Sequence, residues 1–450
     1  MKQKWIGFSA ILVGMSASAL MQTLVATSMP VITRDLGGIH LYSWVFGGYM
    51  LASTITIPLF ARLADIFGRR ILYVSGLSVF LAGSALIGTA SSMGLLVGYR
   101  ILQGIGAGAV APAALASIGD LFGDNERGKM FGIIGAVQVL ANLIGPPLGG
   151  WITDTYSWRL GFFLVLPIGI LAAFLAASGL QDKSQKIEWN NLRLDWLGAL
   201  AIGLGLCSGL VGFQVIGAGS LLTGLAAIFA ATLLLAFSVN WENKQTDPVI
   251  PIPMLKVPSM WKPVLGTLLL GLATNGAIAY FPLYLQKIFS KTATGTGFAL
   301  LPMLLMAGIA SGAGGSLASR YPRQTQAAAW VSVVLGFSLL VVFQSENILI
   351  MAALIGAGLG LLLPVYLHLA QQAGGKAHLA TASGLVQMAR NMGGAMGIPL
   401  LGAWLGMGET NIAAFVSIFV SLSVIGVLGL SLGLISQKEN PGIESPVIIQ

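Results

Sequence analysis

The sequence predicts an all-α integral membrane protein: two six-helix bundles joined by a two-helix insert, fourteen transmembrane helices in all. Three observations carry that expectation. The chain of 450 residues is 56% hydrophobic and only 8% charged, against about 25% charged in an ordinary soluble domain. Its apolar residues fall in runs of the length, about 20 residues, that crosses the hydrocarbon core. Stretches in its second half repeat stretches in its first.

In chain order the spans are read at 5–29, 41–62, 71–90, 93–120, 129–151, 159–180, 196–216, 219–238, 261–286, 294–318, 325–344, 347–371, 379–406 and 411–436. The first opens behind Lys2 and Lys4 and imitates an export leader. Its apolar run is too long for one, and no small-residue cleavage site leads into polar sequence, so it is taken as a span. Connections such as Ser91–Ser92 and Gly217–Ala218 are very short, and no loop is long enough for a separate catalytic domain. This composition excludes a soluble enzyme, a nucleic-acid binder and a disordered protein. The single Cys207 excludes a disulfide framework and a cysteine-based metal site. There is no phosphate-binding loop and no HExxH, so neither ATP hydrolysis nor zinc proteolysis is expected. No metal and no cofactor is expected, and the chain is not read as an enzyme.

Orientation follows from Lys and Arg, which collect in cytoplasmic loops. With an even number of spans both termini share a side. Seventeen of the 23 basic residues fall on that side, four (Arg34, Arg159, Lys287 and Lys291) on the other, and two, Arg100 and Arg390, inside spans. The termini are therefore expected in the cytoplasm. The formal charge of +8 is mostly this topology signal.

The repeat divides the spans. GAVQVLANLIG (135–145) matches GLVQMARNMGG (384–394) at Gly135/Gly384, Val137/Val386, Gln138/Gln387, Asn142/Asn391 and Gly145/Gly394. ARLADIFGR (61–69) matches GSLASRYPR (315–323) at Leu63/Leu317, Ala64/Ala318 and Arg69/Arg323, and Gly-Ala-Gly at 106–108 and 356–358 adds a weaker pair. The expected units are a first bundle at 1–180, an insert with its linkers at 181–258, a second bundle at 259–438 and a tail at 439–450. Two halves related along the membrane normal, with a site between them near the midplane, are the architecture of a rocking transporter.

Several residues are candidates for the mechanism. After the second span Asp65 precedes Arg69 and Arg70, with Gly68 to turn the chain. Asp65 can pair with Arg69, or across the bundle with Arg127 or Lys129, and Asp120 can join. Such a rim network either latches one conformation or simply fixes topology. In ANLIGPPLGG (141–150), Gly145, Gly149 and Gly150 form a small-residue face for close helix approach. Pro146 and Pro147 permit a bend there, a hinge or a seal. Arg100 and Arg390 lie well inside spans, where a central Arg costs about 2.5–3.5 kcal/mol and must face a cavity or a partner. No Asp or Glu lies near mid-membrane to neutralise them. For Arg100 the first reading is a lock on helix ends. Mid-span polar residues sketch a cavity: Gln22, Gln103, Gln138, Asn142, Asn275, Gln387 and Asn391. Tyr49, Tyr280, Tyr284, Tyr366 and Met303 are candidate adaptable walls, although such residues more often serve packing. His368 is the one imidazole deep in a span, and a structural role weighs more there than proton acceptance.

These stretches resemble the major facilitator superfamily, and within it the fourteen-helix drug:proton antiporter branch. ARLADIFGRR resembles the family's loop motif, with Ala61 in place of the leading Gly. YRILQGIGAG resembles its Arg-containing helix 4 motif, and ANLIGPPLGG its exporter-associated helix 5 motif. SWRLGFFLVLPIG (157–169), YLQKIFSKTATGTGFALLP (284–302) and SGLVQMARNMGGAMG (383–397) are similar to further segments of that branch. The resemblance covers nearly the whole chain. It implies gating and coupling roles for Asp65, Arg69, Arg70, Arg100, Gly145 and Pro146. One position departs: Met21, in LMQTLVATSMP, stands where many relatives carry a helix 1 acid tied to proton coupling or cationic drugs.

The expected activity is secondary transport by alternating access, with export of small hydrophobic or amphipathic compounds driven by the proton gradient. A charge moving down 100 mV supplies about 2.3 kcal/mol. A cavity whose buried charges are arginines suits neutral, amphipathic or anionic substrates. A lipid or amphiphile translocase and an uptake permease of the same fold are the alternatives. The expected partners are a small-molecule substrate and membrane lipids, with no nucleic acid, and a monomer suffices. The expected location is a bacterial cytoplasmic membrane.

Overall fold

The computed structural model describes residues 2–180, 196–217, 220–245, 252–344, 348–375, 378–406 and 411–438. The linker expected at 181–195 and the tail at 439–450 lie outside them. The first six long helices are α1 (Lys2–Leu36), α2 (Tyr42–Phe67), α3 (Arg69–Gly88), α4 (Met93–Leu121), α5 (Asp124–Thr155) and α6 (Trp158–Gly179). Helices α7 (Trp196–Gly217) and α8 (Leu221–Glu242) form the insert, and a single turn, α9 (Ile252–Leu255), follows. The last six are α10 (Pro258–Ile288), α11 (Ala293–Arg320), α12 (Pro322–Phe343), α13 (Leu349–Gly374), α14 (Leu379–Gly406) and α15 (Ile412–Lys438). Among the described residues there are fourteen long helices and no strand. Thirteen are long and apolar enough to cross a membrane. The exception is α14, where Gln387, Arg390 and Asn391 dilute the apolar run.

The ends are set by local chemistry. Ser92 accepts a hydrogen bond from the Leu95 amide (3.3 Å) at the start of α4, and Thr292 from the Gly295 amide (3.0 Å) at the start of α11. Each satisfies one of the amides a helix start leaves open. Gly68 joins α2 to α3 at φ 95°, a conformation that requires glycine. The corresponding joint in the second half uses Tyr321 at φ −139° and then Pro322 at the first helical position, so the two copies turn the chain differently. Helix α5 runs unbroken through Pro146 and Pro147.

The neighbour pattern of one six-helix set is repeated in the other. In the first, α4 packs on α2 and α3, α1 on α5 and α6, and α3 on α6. In the second, α13 packs on α11 and α12, α10 on α14 and α15, and α12 on α15. The correspondence reaches single atoms. A β-carbon at Gly104 would strike the Tyr49 carbonyl, and one at Gly356 the Met303 carbonyl. Gly106 faces Gly76 O and Gly358 faces Ala329 O, while Gly108 faces Ser53 O and Gly360 faces Ala307 O. Thus 104, 106 and 108 correspond to 356, 358 and 360. This corrects the expected match of 106–108 with 356–358. Glycines at every second position match themselves when slid by two, so identity alone could not set the register.

Helices α7 and α8 pack on each other, and α7 lies against α2 of the first set and α14 of the second. Leu51, Ile202, Leu206, Leu210 and Ala395 form the apolar contact. Gln214 Nε2 donates to His40 O (2.5 Å), and Trp44 Nε1 donates to Gln214 Oε1. These two bonds tie the insert to the first bundle.

Candidate functional site

The two bundles meet along α5–α11 and α2–α14, with α1 touching α10 and α11. The face carrying residues 4, 126, 179 and 374 is here the near face, and that carrying 36, 155, 288 and 293 the far face. At the far face the bundles are bonded together. Asp154, in the last turn of α5, caps α11: Oδ1 accepts from the Ala293 amide (3.2 Å), and Oδ2 from the Thr294 amide (2.7 Å) and hydroxyl (2.6 Å). A carboxylate there also complements the positive end of the helix dipole. Gln286 Nε2 donates to Thr27 O (3.0 Å), and Tyr42 Oη to Ala279 O (2.7 Å). None of Asp154, Gln286 and Tyr42 stands out in the sequence, because the partners are backbone groups.

Glycines let the far ends touch. Gly145 packs on Thr23, and Gly149 sits against α1, with a β-carbon there only 2.8 Å from Leu24 Cγ. Gly150 abuts the Ala293 carbonyl and Gly297 the Pro146 carbonyl, so α5 and α11 meet backbone to backbone. Further along, Val139 touches Gly308. Beyond that point the helices part. Gly132 and Gly135 on α5, and Gly312 and Gly315 on α11, have nothing within 4 Å of a β-carbon. Gly384 on α14, the repeat partner of Gly135, is equally open. The bundles therefore enclose a cleft that is closed at the far face and open at the near face.

The expected site residues divide into three groups. Gln22, Gln387, Asn391, Gln138 and Asn142 are partly or fully exposed, and Gln22 Nε2 reaches Tyr49 Oη (3.5 Å). Gln387 Nε2 donates to Asn391 Oδ1 (3.2 Å), and Asn275 Nδ2 to Gly271 O (3.0 Å), with Asn275 facing Gly394. Arg390 is partly exposed on the same helix as Gln387 and Asn391.

A second group is enclosed in helix packing. Arg100 is 1% exposed and Gln103 fully buried. Arg100 Nε donates to Val45 O (3.1 Å) and Nη1 to Gln103 Oε1 (2.5 Å), while Gln103 Nε2 donates to Ser84 Oγ (2.6 Å). The Tyr49 ring covers the guanidinium at 4.2 Å. This network fastens α2, α3 and α4 together. Met303, the counterpart of Tyr49, lies buried beneath Gly356. Tyr280 Oη donates to Ile398 O. Tyr366 Oη accepts from Trp330 Nε1 (2.6 Å) and Gln326 Nε2 (3.3 Å). Tyr284 is packed among Phe289, Phe415 and Phe419, with its hydroxyl unpartnered among the described residues. His368 stands apart from this group: it is half-buried and pairs with Gln372 one turn on (3.0 Å).

The third group is the near-face rim. Arg69 pairs with Asp120 and also donates to Ala116 O (2.7 Å), joining the start of α3 to the end of α4. Arg127 donates to Gly119 O (2.8 Å) and Phe122 O (3.1 Å), and Lys4 pairs with Glu126 (2.6 Å). These contacts lie within the first bundle. Arg70 is exposed, and the Asp65 side chain lies outside the described residues.

Comparison with known proteins places this arrangement. Multidrug transporter protein MdtP of Bacillus subtilis is 34% identical over 403 residues, which are 88% of this chain and 74% of that one. Multidrug resistance protein 3 of the same organism is 34% identical over 310 residues, 68% of this chain and 60% of that one. Among solved structures, an auto-inhibited peptide transporter of the POT family superposes at a TM-score of 0.71 with 12% identity, covering 99% of both chains. A bacterial homologue of the human lysosomal transporter Spinster, inward-facing and occupied, gives 0.67 at 14% identity and covers 96% of each. The Major Facilitator Superfamily model matches residues 11–398 and again 264–445. With two helical sets sharing one packing pattern around a central cleft, this multi-pass membrane chain belongs to the Major Facilitator Superfamily of transporters.

Proposed function

We propose that this transporter exports small hydrophobic or amphipathic compounds by alternating access, driven by the proton gradient across a bacterial cytoplasmic membrane. The observation that carries the reading is the splayed α5–α11 seam. Its closed part pairs 150 with 293, 146 with 297 and 139 with 308. Stepping on from 139 and 308 by four residues, and then by three more, brings 135 opposite 312 and 132 opposite 315. All four are glycines in open space. Small residues on facing positions let helix backbones approach closely. The open end is thus built to close as the far end parts. The bias of Lys and Arg towards the near face makes that face cytoplasmic. The cleft described here then faces the cytoplasm, where an exporter loads. The relatives' names as multidrug proteins support the substrate range.

The test is uptake into proteoliposomes with and without an imposed proton gradient, using cationic, neutral and anionic amphiphilic dyes. Gradient-dependent accumulation of any dye class supports the reading. Equal accumulation with and without the gradient refutes proton coupling. No movement of any class beyond protein-free liposomes refutes transport of amphiphiles.

A further inference from the structure

The two arginines inside spans have opposite surroundings. Around Arg100 the Val45 carbonyl, the Gln103 amide oxygen and the Tyr49 ring take up the guanidinium, which is closed off from the cleft. Around Arg390 nothing does so. Among the described residues its side chain has no hydrogen bond, no ion pair and no aromatic face. It is nonetheless partly exposed, so its charge looks onto open space.

Its helix places it there. The Arg390 carbonyl backs onto Gly271 of α10, and Gly393 and Gly397 press on Leu268 and Leu272 of the same helix. Met392 and Met396 turn towards the insert. The remaining face of α14 carries Gly384, Gln387 and Asn391, which are the exposed or half-exposed positions beside Arg390. Helices α2, α7, α10, α13 and α15 pack against α14. They carry one carboxylate between them, Asp65, in the last turn of α2 at the near rim. No acid of this chain lies at Arg390's depth in those helices. The repeat makes the contrast sharper. The counterpart of Arg390 is Ala141, and the glycine register pairs Arg100 with Ala352. Neither charge is inherited from the shared architecture, and only one is satisfied within its own bundle.

We propose that Arg390 is the anion subsite of the cleft. It takes the acidic group of an amphipathic substrate, a carboxylate or sulfonate, as the counter-ion the protein withholds. Guanidinium suits this because its fork of N–H donors matches two anionic oxygens at once. Gln387 and Asn391, bonded to each other at 3.2 Å, stand one turn away and on the next residue, where their amides can accept or donate to the rest of the polar head. The inference rests on the transporter reading above and narrows its substrates to organic anions.

The experiment uses one apolar skeleton with three heads: pyrenebutyrate, pyrenebutanol and a pyrenebutyl trimethylammonium salt. Binding to the purified full-length protein is measured by equilibrium dialysis, and transport in proteoliposomes. Wild type is expected to bind pyrenebutyrate about tenfold or more tightly than the alcohol, the scale of one charge-assisted contact. Arg390→Gln should erase that preference and leave the alcohol's affinity unchanged. Arg390→Lys should retain part of it, because charge without the fork remains. A merely structural arginine would instead weaken all three probes alike. Equal or stronger binding of the alcohol or the cation by wild type overturns the proposal, as does an anion preference that survives Arg390→Gln. Anion-selective binding without movement in liposomes sinks the transporter reading and leaves the subsite standing.

Discussion

The two ends of the α5–α11 seam are made of the same material and do opposite things. At the far end glycines at 150 and 297 are pressed against backbone, and Asp154 bonds across to the start of α11. At the near end glycines at 132, 135, 312 and 315 touch nothing. Small residues therefore line the seam at both ends, pressed together at one and apart at the other, and only the far end has a polar latch among the described contacts. The difference teaches that closure is permitted by small residues and chosen by hydrogen bonds.

The strongest way to break the comparison is Gly150→Leu. Its side chain would meet the Ala293 carbonyl, which cannot swing away as a side chain can. Overpacking costs about 1–3 kcal/mol even where side chains can give, so transport should fall about a hundredfold. With Cys207 replaced by Ser, a Thr27→Cys reporter should label faster with an impermeant maleimide from the far side. Wild-type transport would show that the far end need not close.

Gly312→Trp tests the near end. The indole fits the open state but blocks closure against α5. Dye transport should drop about tenfold, while Thr27→Cys labelling slows instead of rising. A Trp there with normal transport would mean that the splayed ends never meet.

Asp154→Ala removes the latch and keeps the glycine contacts. Losing such a cap costs about 1 kcal/mol, enough for about a fivefold rise in far-side labelling. Removing a single cross-bond with Gln286→Ala, which frees Thr27 O, should give a smaller change, about threefold for a net hydrogen bond near 0.7 kcal/mol. If the order of these two variants is reversed, Gln286 and not Asp154 is the principal latch.

Much of the fold was legible because hydrophobic runs and basic loops are local signals. The α5 and α14 copies were found from Gln138/Gln387 and Asn142/Asn391, polar pairs rare enough at span depth to fix a register. The Gly106/Gly356 pairing failed because a glycine at every second position carries no register of its own. The site was legible in part. Arg100 and Arg390 cost the same on any hydropathy scale, and only the neighbours separate a satisfied charge from an open one. Tyr280 and Tyr366 are span tyrosines like any other until Ile398 O and Trp330 are seen to occupy them. Asp154 was invisible as a latch, since its donors are amides 139 and 140 positions away along the chain and one threonine hydroxyl.

The insert has a lopsided attachment. Gln214 grips the first bundle through His40 O and Trp44, whereas towards α14 it offers Ile202, Leu206 and Leu210. Directional bonds resist displacement, while a greasy contact tolerates sliding at little cost. The pair α7–α8 is therefore held to the first half, and under the proposed alternating access α14 would slide along it. It also shutters the α2–α14 side against lipid, so a molecule arriving from within the bilayer would find its unguarded door on the α5–α11 side.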